Sequence, residues 1–450
     1  MSADGNGDLL ALAVQVAERA QPGEQVEAYV IRGTDLSIEV SGGEVEQLSS
    51  ATSEGVGLRV VQGGRVGFAW SGSLDPSLVA ATLVDARDNA AFSTPDEHAG
   101  LAGPDGVEAV DLDLWRDDVA ATATADKIAL AAEVERRVLD DPRIRSLRSA
   151  EYQDGRTEVA VATSTGIAAT RRGTSAHLSC FAMAGEGDGT TTGGGLSFGR
   201  SVADLDIERV VGDAITRSTR MQGAVKPGSA TVTVVLDPSV AASVLALVAS
   251  LCNGEAVHKG RSLFGSRLGE QVGNPMLTLV EDPTNPASSG AAAFDAEGLA
   301  TRPTPLIEGG VLRSHLYDTR WGRAAGRPST ASATRSFKGT PGISARAVAP
   351  SPGTLTHEEV LAAVGEGLYV QSVAGLHSGV DRISGDFSVG CEGLMIRSGA
   401  LAEPVKECTI ASTLLRMLSG IVHIGADLEW ATGSCARITL AIDGLSLGGT

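Results

Sequence analysis

Residues 379–393, Gly379-Val380-Asp381-Arg382-Ile383-Ser384-Gly385-Asp386-Phe387-Ser388-Val389-Gly390-Cys391-Glu392-Gly393, constrain the fold more than any other stretch. They read as a tight turn, a short strand and a Gly-rich strand. That pattern is a hairpin in which another backbone comes close. Alternation puts Asp386 and Ser388 on one face of the strand and Phe387 on the other. Phe387 then belongs to a core, while Asp386 and Ser388 face a ligand or a neighbouring backbone. The alternative is that Asp386 ties down its own turn.

The rest of the chain alternates between helical and strand periods. Residues 8–20 have helical spacing. Val26–Ile31, Asp35–Val40, Gly55–Val61 and Arg65–Trp70 alternate as strands, with Gly63-Gly64 as a hairpin turn. Helices are expected near Pro76–Ala91, Ala123–Leu139 and Asp206–Met221, and a strand set over Ser146–Phe198. The Gly/Thr-rich tract Gly185–Gly195 reads as a flexible loop. Gln222–Gly228 reads as a junction. Beyond it come a strand at Ala230–Leu236 and a helix from Val240 to about Leu251, capped by Asp237-Pro238-Ser239. A capping box at Thr356-x-x-Glu359 opens a further helix, another is expected over Ile410–Ile421, and the last strand over Ala436–Ile442.

A chain of 450 residues exceeds one ordinary core. Strands in runs with helices interspersed, without regular βαβ spacing, predict an α+β fold. Two domains are expected: residues 1–224, mixed α/β with antiparallel strands, and residues 225–450, strand-rich with few helices. The formal charge of -19 argues against nucleic acid as a partner, since phosphate binding needs a basic surface. Five scattered cysteines without C-x-x-C spacing suit a reducing cytoplasm rather than disulfides. Met1–Gly5 shows neither a basic nor an apolar leader region, so no signal peptide is expected. No apolar run is long enough to span a membrane.

Candidate ligating and nucleophilic residues are sparse. Glu255-x-x-His258 has spacing found on carboxylate-bridged metal helices, but it occurs as one copy. His357-Glu358 begins like a zincin helix, yet the second histidine is missing and a capping box explains its charges. No G-x-S-x-G elbow places a serine for nucleophilic attack. His377, just before the Gly-rich hairpin, and His315, in a strand, are the other histidines of interest.

The order of motifs resembles the TldD/PmbA ("modulator of DNA gyrase") peptidase family over most of the chain. Gly385-Asp386-Phe387-Ser388, then Pro404-Val405, then Gly425-Ala426-Asp427-Leu428 follow the pattern of its C-terminal half. Phe294-Asp295-Ala296-Glu297-Gly298 looks like its F-D-x-E-G motif, and Ile307–Leu312 like its I-x-x-G-x-L turn. Ser329-Thr330-Ala331-Ser332-Ala333-Thr334-Arg335 is a degraded form of S-T-G-N-A-x-R. Upstream, Glu27–Val30, Glu44–Glu46, Gly55–Val60 and Gly64–Phe68 match its opening pattern.

Catalytic members of that family carry a zinc signature, H-E-x-x-x-H, on the helix after the first strand of the C-terminal half. Aligned on His258–Phe264, its histidines fall near Leu245 and Ser250, and its glutamate near Ala246. Those side chains neither ligate zinc nor activate water. The family's zinc cysteine falls near Cys435. The resemblance therefore implies the PmbA/TldE branch, with no catalytic residues and no metal in this chain. The zinc is expected in a TldD-like partner, in a heterodimer that admits unfolded peptides or peptide-like amides. Asp386, Ser388, His377 and Arg335 are the expected substrate-binding residues, and loss of the Gly and Asn of the degraded motif suggests a specialised biosynthetic member. Two other readings stay open: an independent hydrolase with a reconfigured site using Cys435, His377 or His258, and a peptide-binding module with no hydrolase partner.

Overall fold

A computed structural model describes residues 5–449. The first half is built on one antiparallel sheet of β1 (Glu24–Ser41), β2 (Glu44–Gln62), β3 (Arg65–Ser71), β4 (Ile144–Thr163), β5 (Ala168–Ala184) and β6 (Thr191–Gly199), in the order β3-β2-β1-β4-β5-β6. The segments Val26–Ile31 and Asp35–Val40 prove to be one continuous strand, paired along its length with both β2 and β4. Its turn into β2 is Gly42-Gly43, both at positive φ. The buried Glu135 carboxylate accepts a hydrogen bond from each of their N–H groups, at 2.7 Å.

Period-two alternation divides this sheet cleanly. Val26, Ala28, Val30 and Ile38 of β1 face a layer of helices: α1 (Gly5–Ala17), α2 (Pro76–Phe92), α4 (Thr124–Leu139) and α5 (Ile207–Thr219), with the single turn α3 (Asp118–Ala121) between. Glu27 and Tyr29 point the other way, where Tyr29, Val159 and Val161 pack on Ala296 and Ala333 of the second half. The middle of the sheet is thus covered on both faces, by helices on one and by the second half on the other, while residues 44–53 of β2 extend beyond it and are exposed.

The Gly185–Gly195 tract is a loop only over residues 185–190, between β5 and β6. Its C-terminal part is the start of edge strand β6, paired with β5. Glycine is required there by packing: a Cβ on Gly195 would fall on the Val210 carbonyl of α5. The tract's composition reflects a helix lying directly on a strand.

The second half contains β7 (Ala230–Leu236), β8 (Leu279–Glu281), β9 (Thr304–Glu308), β10 (Val311–Leu312), β11 (Ala333–Thr334), β12 (Gly342–Ile343), β13 (Val348–Pro350), β14 (Gly367–Ala374), β15 (Asp386–Arg397), β16 (Ala400–Thr413), β17 (Ile421–Ile424) and β18 (Leu440–Gly448). Its main sheet runs β16-β15-β14-β7-β18-β17, with β14 and β7 parallel. A further pairing of β16 with β18 closes five strands into a ring. The helices are α6 (Pro238–Ser250), α7 (Gly254–His258), α8 (Thr319–Ala324), α9 (His357–Val364) and α10 (Leu414–Ser419). The expected capping box is present, Glu359 accepting from the Thr356 N–H at 2.8 Å. The architecture is α+β, with the second half strand-rich.

Two expected elements shift. The helix expected over Ile410–Ile421 is confined to Leu414–Ser419. Residues 409–413 belong to β16, where Ile410 sits between Val389 of β15 and Leu447 of β18. β-Branched residues fit that doubly flanked position better than a helix. The final strand runs Leu440–Gly448 rather than Ala436–Ile442. Among the described residues, no helix is long and apolar enough to cross a membrane.

Candidate functional site: a cleft beside the central helix of the second half

Helix α6 is apolar almost all round, as expected of a helix buried in a domain interior. Its N-cap is Asp237, whose side chain accepts from the Ser239 N–H at 3.0 Å. The same carboxylate accepts from Arg217 of α5 at 2.7 Å and from the Tyr369 hydroxyl of β14 at 2.6 Å. Burial works against its ionisation, but the Arg217 charge and these hydrogen bonds outweigh it and hold the carboxyl below its usual range. One buried carboxylate thus ties the start of α6 to both halves of the chain.

The C-terminal turns of α6 form one wall of a cleft of about 400 Å³. Ala246, Ala249 and Ser250 line that wall, and Leu316 and Ile343 form the apolar floor. Leu245 is turned into the core and is fully buried. The Ser250 hydroxyl is spent on the Leu247 carbonyl, 2.6 Å away. Asn253 caps α7 through the Ala256 N–H and donates to the Ile343 carbonyl, at 3.0 and 2.9 Å. The wall where the family's zinc signature would lie therefore presents two methyl groups and a satisfied hydroxyl. These residues do not fit a zinc ion. Among the described residues, no group of three or more His, Cys, Asp and Glu is arranged to hold a metal.

The mouth of the cleft is cationic on balance: Lys259, Arg261 and Arg382 line it, against the single carboxylate of Glu255. Lys259 pairs with Glu255 at 2.5 Å. Arg382 stands on the turn that leads into β15. That turn is fixed by Asp381, which accepts from the N–H groups of Ile383 and Ser384 at 2.7 and 2.9 Å. These two backbone bonds hold the Asp381 carboxyl below its usual range.

Asp386, Ser388 and His377 lie beside this turn. Asp386 and Ser388 are both exposed, on one face of β15, and Phe387 between them is 2% exposed within the core. Asp386 accepts from the Ser384 hydroxyl at 2.8 Å, so it does tie down its own turn. The Ser388 N–H donates to the Gly379 carbonyl at 2.8 Å, folding the loop that carries the exposed His377 back along β15.

Arg335 stands apart from these three. Its guanidinium is wholly buried and paired with Glu27 of β1. It stacks on the Tyr29 ring at 5.0 Å and is committed to the junction of the two halves. Glu27 also pairs with Arg59 at 2.6 Å, and Arg59 reaches Glu297 at 3.1 Å. Asp295, the other acid of the F-D-x-E-G motif, accepts from the N–H groups of Glu297 and Leu299 on one oxygen and of Ala333 on the other. Burial, then the neighbouring Glu297 charge, push its carboxyl up. These motifs build the junction rather than the cleft.

The other singled-out residues do not converge. Cys435 is buried and its thiol is pushed up to about 12, by burial first and then by the Glu281 charge. His258 is exposed and packs on Trp321, 5.3 Å between ring centroids. His315 is buried against the Phe264 carbonyl at 3.1 Å, and burial lowers its pKa. His357 bonds Thr439 at 2.8 Å. The cleft residues Arg261, Arg382, Asn253 and Ser434 were not singled out by sequence. The one available signal was a cluster of basic residues at 259–261 within an acidic chain.

Three family models match in series: PmbA/TldA metallopeptidase domain 1 over residues 26–92, the central domain over 117–222, and the C-terminal domain over 229–449. The chain belongs to the PmbA/TldD family. It is 29% identical to the metalloprotease PmbA of Escherichia coli O157:H7, covering 96% of this chain and 94% of that one. A TldD homolog of Haemophilus influenzae is 24% identical, covering 95% and 93%. Among solved structures, a putative modulator of DNA gyrase from Bacteroides thetaiotaomicron superposes with a TM-score of 0.89 at 26% identity, covering all of both chains. TldE from Thermococcus kodakarensis shares the fold, with a TM-score of 0.88 at 19% identity, covering 94% and 97%. The family is one of metallopeptidases, and this PmbA/TldD member carries the family's fold across both halves.

Proposed function

We propose that this chain is the metal-free, TldE-like subunit of a heterodimeric zinc metallopeptidase. A TldD-like partner supplies the zinc, and the complex acts in the cytoplasm on unfolded peptides or peptide-like amides. The observation that carries this reading is the wall of α6. Ala246, Ala249 and Ser250 face a formed cleft in an otherwise intact family scaffold. A metal-ligating pair of imidazoles has no place there. The role left to the chain is to shape the chamber and hold peptide. The exposed Asp386 and Ser388 of β15 and the loop carrying His377 adjoin the turn that bears the cleft residue Arg382 and suit contact with an extended backbone. The five cysteines are all free and buried, in keeping with a reducing compartment.

The experiment is purification alone and with a zinc-bearing homologue. Alone, the chain is expected to hold no stoichiometric zinc and to leave an unfolded peptide intact. Together, the two chains are expected to co-purify and hydrolyse it in a chelator-sensitive way. Chelator-insensitive hydrolysis by this chain alone would sink the proposal.

A further inference from the structure

The mouth of the α6 cleft holds cationic groups that the fold itself does not use. Among the described residues, neither the Arg261 nor the Arg382 guanidinium has an ion-pair or hydrogen-bond partner. This is unusual company for a chain with an excess of nineteen acidic charges, where a structural arginine readily finds a carboxylate. Most other arginines here do so, as Arg59, Arg87, Arg217 and Arg335 illustrate.

The two side chains are also placed by design of the backbone. Residues 259–263 and the 381–385 turn are laced together by the Leu263 N–H, which donates to the Arg382 carbonyl at 2.7 Å. The Asp381 turn fixes the second segment, and the Ser262 hydroxyl, donating to the Leu251 carbonyl at 2.5 Å, fixes the first to the end of α6. Two segments more than a hundred residues apart in sequence thus each bring an unpaired guanidinium to one opening. Behind them lie Ala246, Ala249, Leu316 and Ile343, an apolar floor. The cavity falls within the size range of small-ligand pockets.

A cationic rim over an apolar floor matches one end of a peptide: a terminal carboxylate joined to an apolar side chain. Guanidinium groups recognise carboxylates by short, charge-assisted hydrogen bonds. We infer that the cleft binds the C-terminal carboxylate of a peptide, with Arg261 and Arg382 as its ligands and the last, apolar side chain against α6. This rests on the peptide-handling role proposed above and adds polarity to it. The chain reads the end of the substrate and so sets the direction in which a peptide lies in the chamber.

The test uses the full chain alone and fluorescence anisotropy of three N-terminally labelled hexapeptides. One ends in leucine with a free carboxylate. The second is its C-terminal amide. The third is an amide with a glutamate near the same end. The free acid is expected to bind, and amidation to weaken it at least tenfold, leaving the protein untouched. Arg261→Ala and Arg382→Ala are each expected to weaken the free acid at least fivefold, and not the amide. Both residues are exposed, so unchanged circular dichroism and melting are the control. Equal affinity for free acid and amide, or no loss in either variant, overturns the inference. So does equal affinity for the glutamate amide, which would make the site a general carboxylate receptor, and so does failure of all three peptides to bind. Capture of a zinc-bearing partner is scored separately. A complex that forms without carboxylate-dependent binding refutes this inference alone, and carboxylate-dependent binding without a partner refutes the heterodimer alone.

Discussion

Arg335 and Glu27 form a buried ion pair although 308 residues separate them in sequence. The pair lies where the first sheet meets the second half. Burial opposes the charge on Glu27, but Arg59 and Arg335 together hold its carboxyl below the usual range. Truncating Arg335 leaves that carboxylate in a dry junction with Arg59 as its remaining partner. Arg335→Ala is expected to cost roughly 3–5 kcal/mol in urea-induced unfolding. A loss below about 1 kcal/mol would show that the junction is wet or that the halves are held elsewhere.

Phe387 and Asp386 are adjacent residues with opposite surroundings. Phe387→Ala removes a core ring and is expected to destabilise by about 3–5 kcal/mol. Asp386→Ala loses one exposed hydrogen bond to Ser384 and should change stability by less than about 1 kcal/mol. It should nonetheless lower peptide hydrolysis by the heterodimer. Urea melts of both variants and turnover by the reconstituted complex decide the matter, and unchanged turnover for Asp386→Ala removes it from the chamber.

Asp318 makes a pH prediction. Burial first, then the Glu297 charge, push its carboxyl up to about 6, against the Trp321 N–H and the Arg59 and Arg320 charges. The folded state therefore keeps a proton over the range where the unfolded chain has lost it. Stability from this group is fully present below about pH 4 and is lost as pH rises to about 6. Asp318→Asn retains an N-cap acceptor for α8 and cannot titrate. The stability of the parent relative to Asp318→Asn should fall by on the order of 2–3 kcal/mol between pH 4 and 6, and stay level above that. A difference that is flat with pH contradicts the shift.

Ala331 occupies the Gly position of the degraded S-T-G-N-A-x-R motif, and its φ is 56°. A residue with a Cβ is strained in that left-handed region. Ala331→Gly is expected to raise stability by about 1 kcal/mol, after the extra freedom glycine gives the unfolded chain. A lower urea midpoint for the glycine variant would mean that the Ala331 methyl, 1% exposed, packs well enough to offset the strain.

Much of the fold was legible because hydrophobic period and capping are local signals. Asp237 and Thr356 begin helices where their side chains satisfy orphan N–H groups, and the Gly63-Gly64 turn separates two strands. Illegible features depended on distant neighbours. Ile410–Thr413 has an apolar density that suits helix or strand, and only pairing with both β15 and β18 decides it. Gly193 and Gly195 look like part of a loop until α5 is laid on them. At the site, the missing zinc signature could be read from the residues of α6 once the segment His258–Phe264 set the register. Arg261 and Arg382 could not be read as a pair, because the Leu263–Arg382 bond that brings them together spans 119 residues.

The ring closure of the second half has a consequence for biogenesis. Among the described residues, β18 is the last strand and the one that joins β7 to β16. Synthesis delivers β7 early and its neighbour β18 more than two hundred residues later. Until then both β7 and β16 present raw strand edges, the surfaces by which nascent chains stick to one another. The first half has no such wait, since its six strands are complete by Gly199. A premature stop before Leu440 should therefore yield a protein with a sound N-terminal half and a clientele of chaperones.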